Sequence, residues 1–249
     1  MQCVERDLRR VGDRLAECAT SVLGTAVVGV ILHGSATTDD FVPRQSDIDV
    51  LVIADGPIED SSAAALLERV AGAAREATMN VDFRVVTRAS AAAPERPPEL
   101  ELEIAVRLGR HPEARVETRR LPERDLLVEY SVCRQHGVAL VGPDPVKLIG
   151  EVPTEWLLGV GAAQLHDWQA LDFEPRYGDL MVFTACRIWL LATEGRHSSK
   201  TAAARWALTR NPDLDVVRAA VERRTQHSDV ELREEQVRLF LAAVLEQLI

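Results

Sequence analysis

Apolar residues at the start of the chain recur at helical spacing, with Val4, Leu8, Val11, Leu15 and Cys18 on one face of a 3.6-residue period. The run AVVGVILH, residues 26–33, then reads as a short buried strand that ends at a Gly34-Ser35 turn. IDVLVIA, residues 48–54, is a second apolar strand; residues 61–78 are Ala-rich with a helical pattern; NVDFRVVT, residues 80–87, is a third strand. Strands interleaved with helices predict an α/β layer. Residues 89–99 form a connection rich in Ala, Pro and Glu, and a helical region spans about 122–137 before Gly and Pro break the pattern in GVALVGPDP. Between them, Glu99, Glu101 and Glu103 in ELELEIAVRLGR either contact a cation or, the commoner role, form the solvated face of a charged helix. From Val152 onward no strand pattern remains, and amphipathic segments such as DLMVFTACRIWLLATEG and VRLFLAAVLEQLI predict a helical bundle. The expected architecture is an α/β domain over residues 1–150, a mixed sheet with helices, followed by an all-α domain over residues 151–249.

Composition narrows the partners. With 47% hydrophobic and 27% charged residues the chain has ordinary globular balance, and its net charge of −10 excludes a general nucleic-acid surface, which needs clustered Lys and Arg. The same charge favours a cationic partner. Cys3, Cys18, Cys133 and Cys186 show neither zinc-ligand nor disulfide spacing and read as reduced thiols. No apolar run reaches the roughly 18 residues of a membrane span, and the start of the chain lacks a basic, then apolar, leader pattern. A cytoplasmic monomer without a membrane partner is the expectation.

Chemistry concentrates in LHGSATTDDFVPRQSDIDVLVI, residues 32–53. Side chains alternate along a strand, so Asp47 and Asp49 share one face while Ile48 and Val50 share the other. Two carboxylates pressed into apolar surroundings repel each other unless a cation lies between them. Asp82 in NVDFRVV completes a three-acid cluster if its strand neighbours that of Asp49, and three carboxylates suit a hard ion such as Mg²⁺. His33 either touches phosphate or packs under the turn, and His136 and His166 lack metal spacing.

Gly-Ser after a strand, a loop of about a dozen residues and Asp-x-Asp on the next strand resemble the signature of the DNA polymerase beta-like nucleotidyltransferases. RQHGVALVGPDP, CRIWLLATEGRHSSK and ARWAL further resemble segments of the aminoglycoside 3″/9 adenylyltransferases, which modify streptomycin and spectinomycin. The resemblance spans most of the chain. It implies transfer of AMP from ATP to a drug hydroxyl, with both substrates bound between a nucleotidyltransferase domain and a helical domain.

In that reading Gly34 and Ser35 approach the phosphates, and Asp47 and Asp49 hold Mg²⁺. Asp82 matches a family glutamate regarded as the base, one methylene longer; it reaches the acceptor directly, through water, or completes the metal shell. Arg187 and Lys200 match cations that steady the triphosphate, although a local ion pair and a helix-start surface lysine are their commoner roles. Asp179 matches an acid that contacts the drug's amino or guanidino groups, or else caps the helix that follows. Trp168 matches a tryptophan at the drug site, or packs in the core. The loop QALDFEPRYG is longer than in streptomycin-modifying members and offers Asp172 or Glu174 as the second acid, and ELELEIAVRLGR lacks a tryptophan usual in the family. Two other activities fit the same motif: a protein-modifying adenylyltransferase and a catalytically idle nucleotide-binding protein.

Overall fold

The structure is a computed structural model that describes residues 2–38, 40–43, 45–108, 113–117, 121–226 and 230–248. It divides into two compact units, Met1–Val152 and Pro153–Ile249.

The first unit begins with helix α1 (Gln2–Leu23), strand β1 (Val27–His33), a 3-10 turn over Gly34–Thr37, and strand β2 (Ile48–Ala54). Helix α2 (Asp60–Ala77) carries the chain to β3 (Val81–Thr87), followed by the short helix α3 (Arg88–Ala92). Then come β4 (Glu99–Leu100), β5 (Leu102–Arg107), β6 (Glu113–Glu117), β7 (Leu121–Pro122), α4 (Leu126–His136), β8 (Val138–Val141) and α5 (Pro145–Leu148). Six strands make one mixed sheet in the order β6-β5-β3-β2-β1-β8, and β4 pairs with β7 separately. Among the described strands only β2 and β3 are parallel neighbours, because α2 supplies the crossover that a parallel pair requires.

Strand alternation divides the sheet's side chains between two cores. On one face Val30, Leu32, Val50, Val52, Phe83, Val85, Leu102 and Ile104 pack against Leu8, Val11 and Leu15 of α1 and Leu66 and Val70 of α2. Each such side chain removed from water contributes about 1.5–3 kcal/mol. On the other face Ile31, Leu51, Ile53 and Val86 meet Ala91 of α3 and Leu126, Tyr130 and Cys133 of α4. This second apolar layer stops at one end of the sheet, where the same face carries His33, Asp49, Asp82 and Arg107.

One sequence expectation is corrected, and a segment left unassigned by pattern proves to be a strand. ELELEIAVRLGR is not a charged helix; it is the β4–β5 region, with Leu102, Ile104 and Val106 buried in alternation. Two of its acids are engaged: buried Glu101 accepts from the Ile58 N–H at 3.1 Å, and Glu103 accepts from Arg84, while Glu99 is exposed. Glutamate alternates with leucine and isoleucine at a period of two, which is the period of a strand with one face buried. VALV after α4 is likewise a strand, β8, paired antiparallel with β1 at the sheet edge.

The second unit holds α6 (Thr154–Ala170), α7 (Gly178–Glu194), α8 (Lys200–Arg210), α9 (Asp215–Gln226) and α10 (Glu234–Glu246), with no strand among its described residues. Helix α7 touches each of the other four, which explains why Met181, Val182, Phe183, Ala185, Cys186, Ile188, Leu190 and Leu191 are all buried around its circumference. It ends at Gly195, whose φ of +67° is left-handed and favours glycine. No helix among the described residues is long and apolar enough to cross a membrane.

Candidate active site

The Gly34–Thr37 turn follows directly from β1, and its first residue has a φ of +68°, a conformation open to glycine and costly for other residues. A side chain at Gly34 would also run into the Asp49 carboxylate, so the turn and β2 approach more closely than any Cβ allows. Thr37 and Thr38 hydroxyls donate to the Gly34 carbonyl at 3.2 and 3.4 Å and hold the turn in shape, leaving Ser35 half-buried beside it.

Opposite the turn, Asp49 on β2 lies in register with Asp82 on β3, so their side chains leave the same face one strand apart. Asp47, two residues earlier and just before β2, points to that face as well. Burial pushes Asp49 up to about 7, and the neighbouring charges of Asp82 and Asp47 add to the rise while His33 opposes it. Burial also raises Asp82, against the pull of Arg107. Among the described residues no three His, Cys, Asp or Glu side chains stand as a ready-made ion site. The cation that meets these acids is Arg107 at the end of β5, 2.7 Å from Asp82 Oδ1 and 3.7 Å from Asp47 Oδ2.

Beneath the acids runs a buried chain of charge. His33 Nε2 comes within 3.0 Å of Glu129 Oε1 on α4, an ion-pair distance at an angle that does not make a hydrogen bond. Arg84 Nη1 donates to Glu129 Oε2 at 2.8 Å, and Arg84 Nη2 donates to Glu103 Oε1 at 2.8 Å. Burial opposes ionisation of Glu129, yet Arg84 and His33 together outweigh it and hold the carboxyl at about 2. Burial lowers His33, but the Glu129 carboxylate, joined by Asp49, outweighs it and raises the imidazole against the opposing charge of Arg84. His33 therefore packs under the turn against Glu129.

In the second unit Arg187 is half-buried on α7, two turns beyond Asp179. Asp179 is the second residue of that helix, and Tyr177 occupies the cap position without a side-chain bond, so Asp179 does not cap it. Lys200 opens α8 behind the Ser199 cap, which accepts from the Ala202 N–H. Trp168 packs partly against the bundle core. Near it, Arg238 donates to the Gln169 and Leu171 carbonyls at 2.6 and 2.8 Å and closes the end of α6. Asp172 is exposed, and exposed Glu174 pairs with Arg176 at 2.7 Å.

Residues 14–106, which contain the turn and all three acids, match the nucleotidyltransferase domain family. Residues 147–247 match the aminoglycoside adenylyltransferase C-terminal domain. The chain belongs to the aminoglycoside adenylyltransferases. Curated relatives of this adenylyltransferase agree at modest identity. It is 26% identical over 210 residues to the spectinomycin 9-adenylyltransferase of Staphylococcus aureus (strain N315), covering 79% of this chain and 78% of that one. It is 27% identical over 216 residues to an aminoglycoside (3″) (9) adenylyltransferase of Klebsiella pneumoniae, covering 84% and 82%. Its fold matches the crystal structure of the spectinomycin adenyltransferase AAD(9) from Enterococcus faecialis with ATP and spectinomycin. The TM-score is 0.75 at 17% identity over 96% of this chain and 98% of that one.

Sequence reasoning missed Glu129, Arg84 and Arg107 beside the candidate site of this adenylyltransferase. Each left a trace. Glu129 falls three residues after Leu126 and one before Tyr130, on the apolar stripe of its helix, where an acid is out of place unless paired. Arg84 sits two residues from Asp82, and Arg107 and Glu103 share a strand face, so period-two reading of both segments brings them to the acid side.

Proposed function

We propose that the chain transfers AMP from ATP to a hydroxyl of a cationic aminocyclitol or aminoglycoside of the spectinomycin and streptomycin type, and thereby inactivates the drug. The observation that carries this reading is the register of Asp49 with Asp82, with Asp47 on the same face, beside a glycine turn that no Cβ could enter. The acids fit Mg²⁺: their donors are all oxygen, and Asp49 is raised to about 7 because burial and like charges leave the face short of positive charge. Mg²⁺ is commonly held by one or two carboxylates together with substrate phosphates and water, so a closed protein cage is not required. Asp47 and Asp49 are the proposed ligands, with Asp82 able to complete the shell. When bound, the ion neutralises charge that develops on the phosphates during displacement.

The remaining steps belong to the chain's own groups. The Gly34-Ser35 turn presents backbone N–H groups to the triphosphate, and Arg187 and Lys200 add positive charge to it. The acceptor oxygen attacks the α-phosphorus as the bond to the β-phosphate oxygen breaks and pyrophosphate leaves. The hydroxyl proton passes to Asp82, whose raised affinity for protons suits a base. Asp179, Trp168 and Glu174 are the proposed drug contacts, and the net charge of −10 favours a cationic acceptor. The test is a panel of aminocyclitols and aminoglycosides incubated with protein, ATP and Mg²⁺, read by mass spectrometry. One adenylyl group added to spectinomycin or streptomycin is expected; no adduct on any drug would reject the reading.

A further inference from the structure

Arg107 extends from the last residue of β5 toward the acid face. Its Nη2 donates to Asp82 Oδ1 at 2.7 Å and stands 3.7 Å from Asp47 Oδ2, while Nη1 donates to the Val81 and Val106 carbonyls at 3.2 and 3.3 Å. Four contacts on one guanidinium fix a positive charge where the acids converge, on a side chain still 44% exposed. We infer that Arg107 is an internal counter-ion that keeps free divalent cations out of the acid face, so that the metal enters with its nucleotide. This rests on the adenylyltransferase reading of the same acids.

The physical basis is competition for charge. A bare divalent ion arriving at Asp47, Asp49 and Asp82 meets a guanidinium already bonded to one of them and close to another. It must displace that group or bind within a few ångströms of it, and either outcome weakens binding. A metal–triphosphate complex brings its own negative charge, which relieves the repulsion and gives Arg107 an alternative partner. Arg107 also occupies Asp82 Oδ1, the oxygen that would accept the acceptor's proton, so its departure on nucleotide entry would free the base at the same moment. Its half-exposed position and long, flexible side chain permit that movement without change to the sheet. Asp49, the most buried of the three, receives no hydrogen bond from Arg107 and is raised to about 7, consistent with a counter-ion that neutralises the face only in part.

The experiment is calorimetric titration of Mg²⁺ alone, of Mn²⁺ alone and of Mg·ATP without drug into the full chain, for wild type, R107Q, R107M and R107K. Circular dichroism and thermal unfolding report that each variant is folded, and two neutral variants guard against failure of one. Both R107Q and R107M should bind the free ions about tenfold more tightly than wild type, a modest factor because the site is partly solvated, and R107K should restore weak binding. Wild type should bind Mg·ATP while giving no saturation with free ion over the same concentrations. Equal free-ion affinity in wild type and the neutral variants would overturn the counter-ion assignment, as would tight free-ion binding by wild type. Failure of every folded protein to bind Mg·ATP would instead reject the adenylyltransferase reading.

Discussion

Asp49 and Glu129 are two buried carboxyls that titrate in opposite directions. Glu129 is held at about 2, below its ordinary 4.5, by Arg84 and His33, so the stability it contributes is present above pH 4.5 and is lost as pH falls toward 2. Asp49 is raised from 3.8 to about 7, so the folded protein holds a proton that the unfolded chain releases, and stability falls as pH rises from about 4 to 7. Chemical denaturation of metal-free protein across pH 2–8 should therefore show a maximum near pH 4. In D49N the fall above pH 4 should largely disappear, leaving the variant on the order of 1–3 kcal/mol steadier relative to wild type at pH 7 than at pH 4. In E129Q the acid limb should flatten and stability at pH 7 should drop by about 3 kcal/mol, since Arg84 and His33 lose a buried partner. Parallel curves for wild type and both variants would contradict these assignments. The shared face of Asp47 and Asp49 was legible because strand alternation converts sequence offsets into faces, whereas Asp82 joined them only on the condition that β3 neighbours β2, which the parallel pairing meets. The Glu129 and Arg107 pairings were not legible, since they join strands and helices distant in sequence.

Among the elements, β1, β2 and β3 were read to within about a residue at their ends, because continuous Val, Ile and Leu runs bounded by turns leave little choice. The β4–β5 region escaped because alternating glutamates look solvated until Arg84 and Ile58 are brought to them. VALV in β8 escaped because only four residues separate two glycines. Helix α4 is the element that links architecture to chemistry: its Leu126, Tyr130 and Cys133 cover the second face of the sheet and carry Glu129 under the turn. Leu126→Ala should cost about 2–5 kcal/mol by leaving a cavity there, and should lower AMP transfer measured well below the melting transition because Glu129 loses its support. Unaltered transfer in a clearly destabilised variant would mean that α4 packs without positioning the acids.

At the scale of the whole molecule, a sheet-based unit and a helical unit each possess their own core. The change of pattern near residue 150 was legible because strand periods cease there. The function was legible because a turn and Asp-x-Asp pair carry specific spacing, whereas the choice between Asp172 and Glu174 as a drug contact falls on the irregular connection after α6. A net charge of −10 should make capture of a cationic drug sensitive to salt: KM for the drug should rise severalfold between about 0.05 and 0.5 M NaCl with little change in kcat. A KM indifferent to salt would remove long-range attraction from the account. The central claim is that the Asp47 and Asp49 face carries out AMP transfer, and the most direct measurement is the initial rate of adenylyl-drug formation from Mg·ATP by wild type, D47N and D49N, each shown to be folded. Wild type should form the adduct and both variants should fall by at least about a thousandfold; turnover within tenfold of wild type in either variant would contradict the claim.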